Sequence, residues 1–214
     1  MSHARAIALV LLASPAIGRH AAAQTPPPNE GSSPGSVSAS VYTYFLPDYH
    51  DYVQPTIMAD HAALHLEARY NYEDLATGSA WAGYAFSGGE TWRWALTPML
   101  GGVFGSSNGI APGYRGEVGY WKLDLYSEGE YLFDLSGESN HFFYNWSELA
   151  LAPVEWFRCG VVAQRTRVYQ TDRELARGAL LGFSNELASV TGYAFNLTER
   201  DPTVVIALAL TLDR

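Results

Sequence analysis

Leu64-His65-Leu66-Glu67-Ala68-Arg69-Tyr70-Asn71-Tyr72 alternates apolar and polar side chains one by one. Successive side chains of a strand point to opposite faces, so this segment carries an apolar face and an ionic one. The same two-residue rhythm recurs from about Pro55 to the C-terminus. In 91–101, Trp92, Trp94, Leu96 and Leu100 oppose Thr91, Arg93, Ala95 and Thr97. In 112–121, Tyr114, Val118 and Tyr120 oppose Arg115 and Glu117. In 123–134, Leu123, Leu125, Tyr131 and Phe133 oppose Asp124, Tyr126, Glu128, Glu130 and Asp134. In the last stretch Val204, Ile206, Leu208, Leu210 and Leu212 oppose Thr203, Ala207, Ala209 and Thr211. One face is rich in large aromatics and the other in charges of both signs. A sheet closed with lipid outside and a polar lumen inside requires that pattern. The fold class expected is all-β: a single antiparallel up-and-down transmembrane barrel of about 10 strands.

Ten strands are predicted, near 56–72, 78–87, 91–103, 112–121, 123–134, 141–151, 154–169, 177–186, 188–197 and 202–212. A weaker apolar run, Val37 to Leu46, is read as an eleventh strand, a segment folded into the lumen, or a clip at the rim. Connections alternate in length. Short ones fall near 87–90, 121–124, 152–154 and 186–188. Longer polar ones fall near 73–77, 104–111, 136–140, 170–176 and 198–201. Membrane barrels have short periplasmic turns and longer external loops. With the short set in the periplasm, the strand holding Ile57 runs up toward the long loops, and ten strands bring the chain back down. In 141–151 the phase slips, because Asn145 and Ser147 share one face and Glu148 falls on the other. A bulge is expected there. In 154–169 both faces are polar at the end near Arg165 and Arg167, which places that end beyond the bilayer.

The N-terminus reads as a secretory signal, residues 1–23. Arg5 precedes the apolar run Ala6 to Ala13, and Ala21-Ala22-Ala23 fits a cleavage site. The apolar run is too short to span a bilayer as a helix. Residues 24–37, rich in Pro, Gly and Ser, read as a flexible linker, and 38–214 as the barrel domain. The chain has 13 basic and 22 acidic residues, a formal charge of −9. Nucleic acid is therefore not an expected partner, since binding it needs clustered Lys and Arg. Cys159 is the only cysteine, so no internal disulfide forms. It reads as a small residue in a sheet face.

Together, the alternation, the turn asymmetry, the aromatics near strand ends and the signal resemble the small outer-membrane β-barrel proteins of Gram-negative bacteria. The resemblance is architectural, covers roughly 37–212, and matches no functionally defined subfamily. One departure is the end of the chain, Leu210-Thr211-Leu212-Asp213-Arg214, which lacks the usual terminal aromatic. The resemblance implies an outer-membrane location reached through the periplasm. The implied partners are outer-membrane lipid, the barrel-assembly machinery, and small solutes or ions. No cofactor is implied.

The candidate lumen residues are Glu67, Arg69, Arg93, Arg115, Glu117, Asp124, Glu128, Glu130 and Asp134, with Arg158 a further candidate. Asp124, Glu128 and Glu130 form a carboxylate row that needs arginine partners, and Arg115 on the preceding strand can supply one. Ionisable groups at membrane depth are expensive unless paired or hydrated, which places them inside. Such a lumen is either a narrow ion or solute path or a salt-bridged plug in a structural barrel. Barrels of eight strands are filled by their own side chains, and ten lies near that end.

Two other readings compete. A rim site built on Asp48, His50 and Asp51, with Asp60, His61, His65 and His141 elsewhere, would serve an outer-membrane hydrolase. No Gly-x-Ser-x-Gly or His-Glu-x-x-His motif supports it, so no catalytic residue is assigned. The histidines have no metal-ligand spacing, so no metal is expected. A soluble periplasmic lipocalin-like barrel would turn the same apolar face inward to hold a ligand.

Overall fold

The computed structural model describes residues 35–47, 50–137, 141–168, 174–198 and 202–213. Residues 1–34, which hold the expected signal and most of the expected linker, lie outside the described residues. The described residues form thirteen strands in chain order. They are β1 (Ser36–Phe45), β2 (Tyr52–His61), β3 (Leu64–Tyr70), β4 (Thr77–Tyr84), β5 (Phe86–Gly88), β6 (Trp92–Gly105), β7 (Gly109–Tyr120), β8 (Leu123–Asp134), β9 (Phe142–Val154), β10 (Phe157–Val168), β11 (Glu174–Ser184), β12 (Ala188–Phe195) and β13 (Thr203–Asp213). Each long strand pairs antiparallel with its sequence neighbours. β1 pairs with β13 and β4 with β6, which closes a barrel of twelve strands.

β5 lies outside that cycle and pairs only with β6. Its register, Phe86↔Leu96, continues the line of Gly83↔Met99 from the β4–β6 ladder. The break falls opposite Pro98, which has no N–H to give to a ladder. The Ala85 N–H turns the other way and donates to the Ala63 carbonyl at 2.8 Å. β5 thus carries the β4 edge a few residues past the closed ring.

The expected count of about ten is corrected in two places. The stretch 56–72 is two strands, because Ala62-Ala63 makes a tight turn with Ala62 at φ 52°. The weak run 37–46 is β1, a full barrel strand whose first residue, Ser36, lies inside the stretch read as linker. Each correction adds one strand, so the number stays even. The direction of the Ile57 strand is also corrected. β1 ascends, β2 descends with Ile57, and β3 ascends. With that change five short connections share one end with both barrel termini. They are 62–63, 89–91, 121–122, 155–156 and 185–187. The opposite end holds the longer connections together with 106–108, a three-residue turn where a longer loop over 104–111 was expected.

The expected bulge in the 141–151 strand is absent. The β8–β9 register runs unbroken from Leu123↔Leu151 to Leu132↔Phe142. Glu148 is simply inside, and Asn145 and Ser147 are outside. The irregularity in this region falls instead in the β9–β10 ladder, between Phe157 and Cys159.

Burial follows the two-residue period and is inverted relative to a soluble sheet. In β3, Leu64, Leu66 and Tyr70 are exposed, whereas His65, Glu67 and Arg69 are each 5% exposed. Outward Val, Leu, Ile and Phe cover β1, β2, β11 and β13 in the same way. Trp92 stacks on Tyr120 and Trp156 on Phe183 at the short-turn end, and Tyr131 leans on Phe133 at the long-loop end. These are aromatic girdles at both interfaces. The lipocalin-like arrangement, apolar inside and charged outside, is the reverse of what is observed.

Candidate functional site: a filled, charged lumen

The lumen is built from the inward positions of every long strand. Arg69 on β3 donates to Glu67 on the same strand at 2.7 Å and reaches Glu130 on β8 at 2.8 Å. Arg115 on β7 meets Glu67 at 2.9 Å and Glu128 at 3.4 Å. β3 is not a ladder neighbour of β7 or β8, so these pairs tie separated strands together through the interior. Two arginines thus share Glu67, whose side chain has no solvent exposure. The Arg69 guanidinium is sandwiched by rings, 4.2 Å from Tyr72 and 4.5 Å from Trp81. Sharing and stacking are what let charges sit where water is scarce.

Tyr72 belongs to the 71–76 loop, yet folds inward. Its hydroxyl donates to Glu128, and its ring meets Tyr144 edge-on at 5.3 Å. Burial, with Glu128 beside it, raises the Tyr72 hydroxyl well above the ordinary tyrosine range, so it serves Glu128 as a donor. The loop is pinned behind it. Gln54 donates to the Asn71 carbonyl at 2.8 Å, and the Asn71 amide to the Val53 carbonyl at 3.0 Å. Asn71 itself has φ 57°, a conformation that asparagine tolerates.

A second network lies on the other side. Glu148 on β9 takes Arg158 at 2.8 Å, the Trp146 indole N–H at 2.8 Å and the Tyr193 hydroxyl at 2.8 Å. Between the two networks is a cavity of about 40 Å³, lined by Tyr42, Gln54, Arg115, Glu128, Tyr144 and Glu148 among others. Tyr44, Tyr144 and Trp146 in its wall are buried, and Tyr193 and Phe195 pack edge-on against Trp146.

Not every sequence-predicted residue joins these networks. Arg93 and Asp124 face one another at 3.8 Å near the short-turn end, both partly exposed. Glu117 faces inward, half-buried, on the same side as Arg115. Asp134 holds the start of the next loop, accepting from the Ser136 backbone at 2.9 Å. Glu148 and Tyr72 were missed. Glu148 looked out of phase beside Asn145 and Ser147, and Tyr72 sits in a loop, where no two-residue period gives a direction.

Among the described residues the rim-site candidates are not drawn together into one site. Asp48 lies outside the described residues, and Asp51 accepts from the Leu46 backbone N–H at 3.1 Å as a loop cap. His65 does meet Asp60 at 2.7 Å, but its other ring nitrogen faces Glu67 at 3.3 Å. Neither nitrogen is left to activate a hydroxyl.

A closed twelve-stranded barrel with a lipid-type outer face and a charged, salt-bridged lumen has the architecture of an outer-membrane β-barrel. No family model matches the sequence, and a search of curated proteins finds no match. Solved structures do resemble it. A KdgM porin superposes with a TM-score of 0.60 at 12% identity, covering 81% of this chain and 98% of that one. A KdgM porin in complex with disordered oligogalacturonate gives 0.59 at 11% identity, with the same coverage. At such identity the likeness is one of fold.

Proposed function

We propose that this protein is an outer-membrane channel of the narrowest kind, passing water and small cations and excluding sugars. The observation that carries the proposal is the charge and volume of the lumen. The two buried networks hold Glu67, Glu128, Glu130 and Glu148 against Arg69, Arg115 and Arg158. With Glu117, Asp124 and Asp134 at the approaches and Arg93 the one further guanidinium beside them among the described residues, carboxylates outnumber guanidiniums even with Glu130 set aside, so the field inside favours cations. The cavity between them holds about three waters, each needing roughly 10–15 Å³. No sugar ring fits it. A solved neighbour holds oligogalacturonate, a chain of uronate carboxylates, which an acid-rich lumen repels. The nine residues read from the sequence, Glu67 through Asp134, divide accordingly. Glu67, Arg69, Arg115, Glu128 and Glu130 set the constriction, and Arg93, Glu117, Asp124 and Asp134 line its approaches. Export through the periplasm and insertion by the barrel-assembly machinery belong to the same proposal.

Vesicle swelling tests it. Vesicles carrying the refolded chain are expected to swell in potassium thiocyanate, whose anion crosses the lipid unaided and balances the potassium entering through the channel, and to resist neutral sugars and galacturonate oligomers. Swelling in galacturonate oligomers would assign a saccharide porin instead. No swelling in any solute, from protein shown to be inserted, would assign a closed structural barrel.

A further inference from the structure

One sector of the outer wall breaks the apolar pattern. On β7, β8 and β9 the outward positions at mid-strand are Tyr114, Ser127, Asn145 and Ser147, all half-buried. The register sets them side by side. Gly129 lies between Tyr114 and Asn145, and Ser127 lies between Gly116 and Ser147. They bond one another. Asn145 Nδ2 lies 3.0 Å from the Tyr114 hydroxyl and 2.9 Å from the Glu128 carbonyl. Ser127 Oγ lies 3.0 Å from both the Tyr114 and Ser147 hydroxyls, and Ser147 donates to Asn145 Oδ1 at 3.1 Å. Exposed Val118, Leu125, Leu149 and Val161 border the block toward the short turns, and Tyr131 and Phe133 border it toward the loops. Among the described residues, outward positions elsewhere are held mostly by Ala, Gly, Pro, Val, Leu and Ile, with aromatics toward the ends; toward the long-loop end Arg165 on β10 pairs in register with Asn145, Arg177 on β11 pairs with Ala163, and Thr43 faces outward on β1.

We propose that this block is the centre of an interface between two copies of this chain in the membrane. The inference rests on the membrane reading of the outer face. Hydrocarbon offers no hydrogen-bond partner, so an amide and three hydroxyls facing it lose the water they would otherwise have. Hydroxyls and a carboxamide both donate and accept, so the block is complementary to itself. Gly116 and Ala163 on the outer wall around it leave the backbones free to approach closely, as at other membrane interfaces. The block is a single contiguous patch. A single self-complementary patch makes a two-fold contact and closes at a dimer. The bonds within the block hold it together in the separate barrel before the copies meet.

Cross-linking in reconstituted vesicles tests the assignment. In a Cys159→Ala background, Ser147→Cys places a thiol at the block, and Leu208→Cys places one on exposed outer wall of β13. With a short bis-maleimide, Ser147→Cys is expected to give a dimer band many-fold stronger than Leu208→Cys, and adding Asn145→Leu should reduce it several-fold. Equal yields from the two positions, or no dimer from folded Ser147→Cys protein, overturn the interface. In the second case, labelling of Ser147→Cys by a membrane-embedded maleimide would show lipid against the block. The unmodified chain gives an independent reading by sedimentation equilibrium in density-matched micelles. The mass of two chains is expected, and the mass of one overturns the proposal. Protein that fails to insert overturns the membrane reading and the interface with it.

Discussion

At the residue scale, the lumen arginines are not equivalent. Arg115 is nearly buried and serves Glu67 and Glu128, whereas the Arg93 side chain is about half exposed beside Asp124. Removing one partner of a buried pair leaves a desolvated charge and costs about 3–5 kcal/mol. An exposed pair is worth about 0–1 kcal/mol. Arg115→Ala is therefore expected to lower the urea midpoint of the vesicle-inserted barrel strongly, and Arg93→Ala only slightly. Equal shifts would contradict the placement. Sequence alone ranks the two alike, because both alternate correctly with Trp or Tyr neighbours, and exposure depends on distance from the barrel end. Gly101 offers a steric counterpart. A Cβ there would lie 2.4 Å from the Trp81 ring, which is held by its bond to Ser79 and by the Arg69 guanidinium. Gly101→Ala should cost about 1–3 kcal/mol by overpacking, read from the same unfolding curve.

At the element scale, the two strands that escaped the sequence reading did so for physical reasons. The β2–β3 turn is made of Ala62-Ala63, with no Gly, Asn or Pro to mark it. The available signal was a change of parity. Even-numbered residues such as Thr56 and Met58 face inward before the turn, and odd-numbered ones such as His65 and Glu67 face inward after it. β1 looked weak because its lumen positions are Ser38 and Ser40, which contrast little with Ala39 and Val41. Ala62 holds φ 52°, where an L side chain is strained by about 1–2 kcal/mol. Ala62→Gly is expected to raise stability by up to about 1 kcal/mol, after its larger entropy loss is set against the relieved strain. A lowered midpoint would show that the turn is not strained. The 71–76 loop belongs at this scale too. Tyr72→Phe removes its donor to Glu128 and keeps the ring against Arg69. Ion flux through the variant should rise several-fold as the pin loosens. Unchanged flux would place the constriction elsewhere.

At the scale of the whole molecule, the class of fold was legible because a two-residue period with charges on one face has few solutions. The inverted burial of Leu66 and Glu67 carries the same information in three dimensions. The pairing inside the lumen was less legible. Which arginine meets which carboxylate depends on strand number and on chords such as Arg69 to Glu130, which no local spacing encodes. A twelve-stranded ring is wide enough to need filling, and large side chains fill it here. Tyr42, Tyr72, Tyr144, Trp146 and Tyr193 occupy volume that a wider pore would leave to water. The polar block on β7 to β9 was visible in the sequence only as a slip in phase, and it became an outward-facing feature once the register was known.

The proposed function requires a lumen that is acidic and just permeable. The most direct test is the reversal potential of single channels in a planar bilayer under a potassium chloride gradient, for the native chain and for Glu128→Gln/Glu130→Gln. Small discrete steps with a cation-selective reversal potential, moving toward zero in the double variant, are predicted. A reversal potential of anionic sign, or one indifferent to both substitutions, would contradict the account.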